Sequence, residues 1–224
     1  ASLTFTAAAE TEEAVTLFLD EQMRHYDKTL KNLLPLIKFD KDPFSGTPPE
    51  RIEEMSREDT MLHEFSHAIY HDETPETARL GASQETIIAE VSAESIHRGL
   101  ALEMLDRGGL DYTPEQYIAV TICMPLQVIE KTNDKKDPYY QAAVYVLNGM
   151  FEQGVVEFNG SKIIVKNKDA VFDYLKNNAQ KIISLYEDSS TNPQRAKKWI
   201  SNNCTAGEKL QNLINYIKKT DCKS

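Results

Sequence analysis

Residues 60 to 71, Thr60-Met61-Leu62-His63-Glu64-Phe65-Ser66-His67-Ala68-Ile69-Tyr70-His71, constrain this chain more than any other stretch, because they set His-Glu-x-x-His inside a helical pattern of apolar residues. Residues four apart share one face of an α-helix, so His63 and His67 can offer two imidazole nitrogens to one ion. Glu64 lies about 100° around the helix from His63 and can reach a water held in an open metal position, where it would serve as general base. The spacing supplies two ligands and one catalyst. Solvated helix histidines would give the same letters, so a third ligand has to decide between the two readings.

That ligand comes from the next helical stretch, Glu85-Thr86-Ile87-Ile88-Ala89-Glu90-Val91-Ser92-Ala93-Glu94-Ser95-Ile96, which follows a polar loop from about Asp72 to Ser83. A catalytic zinc site has three protein ligands and keeps one position for water, which makes Glu90 the expected third. Glu94 sits one turn further on the same face. A carboxylate there accepts the outer N–H of a ligand histidine and fixes its tautomer. The bland alternative is that Glu85, Glu90 and Glu94 form a solvated acidic stripe. His97, seven residues past Glu90, shares its face and is expected to support Glu94 or to meet a substrate carbonyl.

The runs His-Glu-Phe-Ser-His-Ala-Ile-Tyr-His at 63 to 71 and Ala-Glu-Val-Ser-Ala-Glu-Ser-Ile at 89 to 96 resemble the gluzincin metallopeptidases, and within that clan they are most similar to ImmA/IrrE-like and ArdC-type zincin domains. The likeness spans residues 56 to 120 and continues weakly through Gly109 to Ala119, although Ser92 stands where those domains often carry Glu. It implies that His63, His67 and Glu90 hold one Zn2+, that Glu64 is the base, and that Glu94 lies behind the ligands. For the donor to the tetrahedral oxyanion the sequence offers Tyr70, His97, Tyr112 and Tyr117, and the family-like run around it favours Tyr117.

The expected chemistry is zinc-dependent peptide-bond hydrolysis by an endopeptidase of restricted specificity, with a zinc-bound water activated by Glu64 and a protein or peptide as substrate. Two alternatives stand beside it. One is a catalytically inert zincin-fold binding or regulatory protein; the other is a structural zinc or metal-free helical protein, which the lack of any Cys-x-x-Cys disfavours. A net charge of −10 makes a nucleic-acid footprint unexpected, since phosphate binding needs a basic face. No run of about 18 uncharged apolar residues is present, so no membrane span is expected.

Three cysteines do not make a disulfide scaffold: Cys123 falls in an apolar segment, and Cys204 and Cys222 bracket the last helix and could pair. The start at Ala1 and the sequons at Asn159 and Asn203 lean towards secretion, with a cytoplasmic location left open.

The fold expected is mainly α (α+β): a zincin-like metallopeptidase core over 1–153, with metal-binding helices at about 57–71 and 83–107, and a β-hairpin plus helical subdomain over 154–224. Leu3 to Thr6 alternates like an edge strand, and Val15, Leu19, Met23, Tyr26, Leu30 and Leu33 space a long amphipathic helix from about Thr11 to Leu34. Ser56 and Asp59 approximate a capping box for the metal helix, whose buried stripe is expected to be Leu62, Phe65 and Ile69. Gly108-Gly109 closes the second helix. Thr113-Pro114 opens a third, expected to end near Pro125, and a fourth is expected over Tyr139 to Gln153. Two apolar runs joined at Asn159-Gly160 predict a hairpin, followed by helices over Asp169–Tyr186, Pro193–Ser201 and Glu208–Thr220.

Overall fold

The computed structural model describes residues 28–67, 75–132 and 134–221. The expected strand at Leu3 to Thr6 and most of the helix from Thr11 lie outside these residues. Of that helix, 28–33 is helical and tightens into the 3-10 turn Leu34–Leu36. Helix α1 is Pro49–His67, followed by a single turn at Pro75–Ala78. Helices α2 (Ala82–Asp106), α3 (Pro114–Lys131), α4 (Pro138–Glu152), α5 (Lys168–Glu187), α6 (Pro193–Asn203) and α7 (Glu208–Asp221) complete the helical frame. Strands β1 (Ile37–Lys38), β2 (Val156–Phe158) and β3 (Ile163–Val165) form one small sheet in the order β1-β3-β2. The molecule is mainly α with a small sheet, as its sequence pattern requires.

Helix α2 is the centre of the frame: α1, α4 and α5 pack against it. Its sequence explains why. Ile88, Val91, Ala93, Ile96, Ala101 and Leu102 are buried, and so are the polar Ser92, Ser95, His97 and Arg98, so this helix meets protein on nearly every side. Ser92 Oγ bonds the Ala89 carbonyl at 2.8 Å and lies 3.2 Å from the Tyr186 hydroxyl, which ties α2 to α5. The helix ends as its glycines dictate. Gly108 takes φ +71°, its N–H reaches the Leu105 carbonyl, and the Gly109 N–H reaches the Met104 carbonyl, a Schellman closure.

Thr113 and Gln116 form a full capping box at the start of α3, with Pro114 in the first turn. The helix then runs through Pro125 to Lys131 instead of stopping. A proline forfeits one ladder bond, but the buried Ile122, Cys123, Leu126 and Ile129 on either side favour continuation. Helix α1 also begins earlier than its sequence suggests, at Pro49. Ser56 is consequently a buried mid-helix residue and caps nothing.

The hairpin forms at Asn159-Gly160: β2 and β3 pair antiparallel, Asn159 Oδ1 accepts from the Ser161 and Lys162 N–H groups, and Gly160 takes φ +96°. Strand β1 was not foreseen; two residues carry no alternation to read. It lies parallel to β3, with Ile37 opposite Ile163. Beyond the hairpin, the inward residues of α7 are Leu210, Leu213, Ile214 and Ile217, all buried. Buried side chains from residue 30 to residue 217 form one connected core among the described residues. None of the helices described is long and apolar enough to cross a membrane.

Candidate metal centre

The 3.6-residue period places His63 and His67 on the face of α1 that meets α2, and brings Glu90 of α2 opposite both. The Nε2 atoms of His63 and His67 are 3.2 Å apart; Glu90 Oε2 lies 3.4 Å from the first and 3.6 Å from the second. For a tetrahedral zinc with bonds of about 2.0–2.1 Å, two ligand atoms stand about 3.3 Å apart. The three atoms therefore have the mutual spacing of one face of such a tetrahedron. A further observation agrees: Glu90 Oε2 is buried without a hydrogen-bond partner, which for a carboxylate oxygen is costly unless a cation takes that place. This donor set fits zinc.

The electrostatics follow from the same contacts. Burial works against a charged His63, but the Glu90 and Glu94 carboxylates outweigh it and raise its pKa from 6.5 to about 10. Burial alone would raise Glu90; its contacts with His63 and His67 lower it to about 2. Without a cation, the pair stores a proton where the ion would sit.

Behind the ligands lies a second layer. His63 Nδ1 is 3.4 Å from Glu94 Oε1, the expected outer contact, and the other Glu94 oxygen accepts from Arg98 Nη2 at 2.6 Å. Arg98 is 1% exposed, and among the described residues its Nε and Nη1 have no hydrogen-bond partner; Glu94 is the carboxylate it bonds, with the Asp59 charge also nearby. Burial opposes ionisation of Glu94, yet the Arg98 charge and the His63 contact hold it well below the ordinary carboxylate range.

His97 lies within 4.8 Å of a Glu94 oxygen and a His63 ring nitrogen, in keeping with its expected support of Glu94, and it also reaches α1. It is buried, with Nδ1 2.9 Å from the Ala93 carbonyl oxygen and Nε2 3.4 Å from Asp59 Oδ1 of α1. Burial alone would raise Asp59; the His97 contact and the His97 and Arg98 charges bring it below its usual value. Asp59 was read from the sequence as a capping residue. Its spacing, four before His63, was the available signal for membership of this face.

Glu64 is exposed and, with His63, Glu94, Thr60 and Ser56, lines a cleft of about 460 Å³. The other wall carries Met124, Gln127, Val128 and Lys131 of α3 together with Tyr139 of α4. Tyr117 is not brought to this cleft: it is 2% exposed and its hydroxyl donates to the Arg98 carbonyl at 2.9 Å. Tyr112 likewise donates to the Met55 carbonyl at 2.8 Å. Tyr70 and His71 fall outside the described residues. The aromatic that does stand beside the cluster is Tyr139, which the sequence marked only as the start of a helix. The Asp137-Pro138 helix entry was its one signal.

Phe65 departs from the expected buried stripe. It is 49% exposed, because the face of α1 turned inward is the one carrying Met55, Ser56, Asp59, His63 and Ser66, about 100° away from it.

No protein-family model matches the chain, and no curated protein matches it. Among solved structures it is similar to DPP III from Caldithrix abyssi, with a TM-score of 0.67 at 17% identity, over 88% of this chain and 38% of that one. At that identity the likeness is one of fold. The chain spans about 38% of the length of the protein whose fold it shares.

Proposed function

We propose that the chain is a gluzincin-type zinc peptidase, with His63, His67 and Glu90 as ligands and Glu64 as general base. The spacing of the three ligand atoms, at the edge length of a zinc tetrahedron, carries this reading. The shared fold with DPP III is in keeping with it, and the narrower likeness to ImmA/IrrE-like and ArdC-type domains rests on the two sequence runs alone. A bound zinc polarises a peptide carbonyl and acidifies water at neutral pH.

The remaining work belongs to side chains. Glu64, open to the cleft and next to His63, takes a proton from the attacking water on its carboxylate and delivers it to the departing amine nitrogen. Glu94 accepts the Nδ1–H of His63, leaving Nε2 free to face inward; Arg98 keeps Glu94 ionised for that task. The cleft wall of Met124, Val128, Gln127 and Lys131 would receive a peptide in extended form, and its modest volume suits an endopeptidase of restricted specificity.

The test is Glu64→Gln. This protein retains one zinc per chain by metal analysis, and its cleavage of a proteome-derived peptide library falls at least about 10²-fold. Undiminished cleavage by the variant removes the peptidase reading; zinc bound with no cleavage by either protein leaves an inert zincin-fold binder.

A further inference from the structure

Hydrolysis at this site calls for a hydrogen-bond donor to the oxygen that turns negative as a peptide carbonyl is attacked, and the phenols Tyr112, Tyr117 and Tyr174 cannot serve. Tyr112 and Tyr117 spend their hydroxyls on the Met55 and Arg98 carbonyls, and Tyr174 spends its own on Val146. His97 is buried against Asp59. Among the described residues, one tyrosine remains at the cleft.

Tyr139 is 53% exposed, whereas Tyr140 beside it is 5% exposed and the rest of α4 as far as Phe151 is largely buried. Its backbone is held firmly. Asp137 caps α4 through the Tyr140 N–H at 3.0 Å, Pro138 fills the first turn, and Gln141 Nε2 bonds the Lys135 carbonyl. Tyr139 lines the same cleft as His63 and Glu64, and its phenol is near enough to the Glu90 and Glu64 carboxylates for both, after burial, to push its pKa up.

We propose that Tyr139 is a catalytic residue of this site, its hydroxyl donating a hydrogen bond from α4 to the developing oxyanion while Glu64 of α1 handles the proton. The inference rests on the peptidase reading above. Atoms balance without a contribution from the phenol: the water oxygen bonds to the carbonyl carbon, the C–N bond breaks, and Glu64 carries the proton to the amine. Tyr139 keeps its own proton throughout. Attack moves negative charge onto the carbonyl oxygen and gives a phenol donor in the cleft a charged partner, so the interaction strengthens in the transition state.

Tyr139→Phe in the full, zinc-loaded chain tests this, with two readouts besides turnover. Expected are unchanged zinc content and a fall in kcat of about 10²-fold with KM changed less than about threefold on any peptide cut by the wild type. Binding of N-phosphoryl-leucyl-leucine, charged and tetrahedral at phosphorus, weakens by about tenfold or more, while binding of acetyl-leucyl-leucine, planar at the carbonyl, is unchanged. Wild-type kcat in Tyr139→Phe, or equal loss of both dipeptides, overturns the proposal and leaves the peptidase reading standing. Loss of zinc overturns it too, making Tyr139 a support for Glu90. Full cleavage by Glu64→Gln, or a wild type that neither cuts nor binds the phosphoryl dipeptide, takes down the reading beneath it.

Discussion

Helices α1 and α2 bring the proposed metal ligands together from opposite situations. Helix α2 delivers Glu90 and Glu94 from the middle of the molecule, with α1, α4 and α5 around it and even Arg98 and His97 buried along its length. Helix α1 delivers His63, His67 and Glu64 from the surface; its buried residues are Met55, Ser56 and Ser66, and it leaves Met61 63% and Phe65 49% exposed. Apolar packing holds the first in place. The second packs Met55, Ile52 and Leu62 against the core, and its histidine end meets α2 through polar contacts, His63 to Glu90 and Glu94, His67 to Glu90, and Asp59 to His97. The difference teaches that the Glu90 side chain is part of the scaffold, while the imidazoles sit at a more exposed helix end whose contacts with α2 are largely polar.

The sharpest way to break this contrast is at the scaffold. Arg98→Met leaves the Glu94 carboxylate buried without its closest cation and is expected to cost about 3–5 kcal/mol in urea denaturation. A loss below about 1 kcal/mol would mean that α2 is no firmer than α1. Next comes the link between the two. Glu94→Gln keeps the shape but weakens the hold on the His63 Nδ1–H, and zinc affinity should fall about 10–100-fold in a competitive chelator titration.

The pH dependence of the metal-free protein follows with the sign worked from each pKa. His63 is raised from 6.5 to about 10, so its contribution to stability is complete below 6.5 and is lost as pH rises through about 10. Glu90 is lowered from 4.5 to about 2, so its contribution is complete above 4.5 and is lost as pH falls through about 2. Denaturation series with chelator present should place these two contributions at their joint maximum between pH 4.5 and 6.5. Zinc has to displace the His63 proton, so its affinity climbs with pH up to about 10, and calorimetry in buffers of different ionisation enthalpy counts the proton released. The smallest effect belongs to the outside of α1: Phe65→Ser should change stability by no more than about 0.5 kcal/mol.

Much of the site was legible in the sequence because helical periodicity is a rigid ruler. Spacings of four fixed His63 with His67 and Glu90 with Glu94, and the structure sets the pairs face to face. What periodicity could not give was which face of α1 turns inward. Of the expected stripe Leu62, Phe65 and Ile69, Leu62 does pack against the core and Ile69 lies outside the described residues, but the histidine face pairs with α2 and Phe65 goes out. Tyr117 misled in a related way: a tyrosine in a family-like run says nothing about whether its hydroxyl is already spent on a main-chain carbonyl. Tyr139 was invisible for the converse reason, since its importance lies in tertiary proximity across some fifty residues to Glu90. The hairpin was readable from Asn159-Gly160, whereas β1 exists only because β3 offers it an edge.

That edge has a consequence for the order in which the molecule assembles. Ile37 can meet Ile163 only after the chain has travelled out through α1 to α4 and back, and loop-closure entropy disfavours so distant a pairing until the intervening helices have shortened the path. The parallel pair thus acts as a latch that clicks shut late, and protection of the main-chain amides it engages would date the moment at which the bundle around the two metal helices is finished.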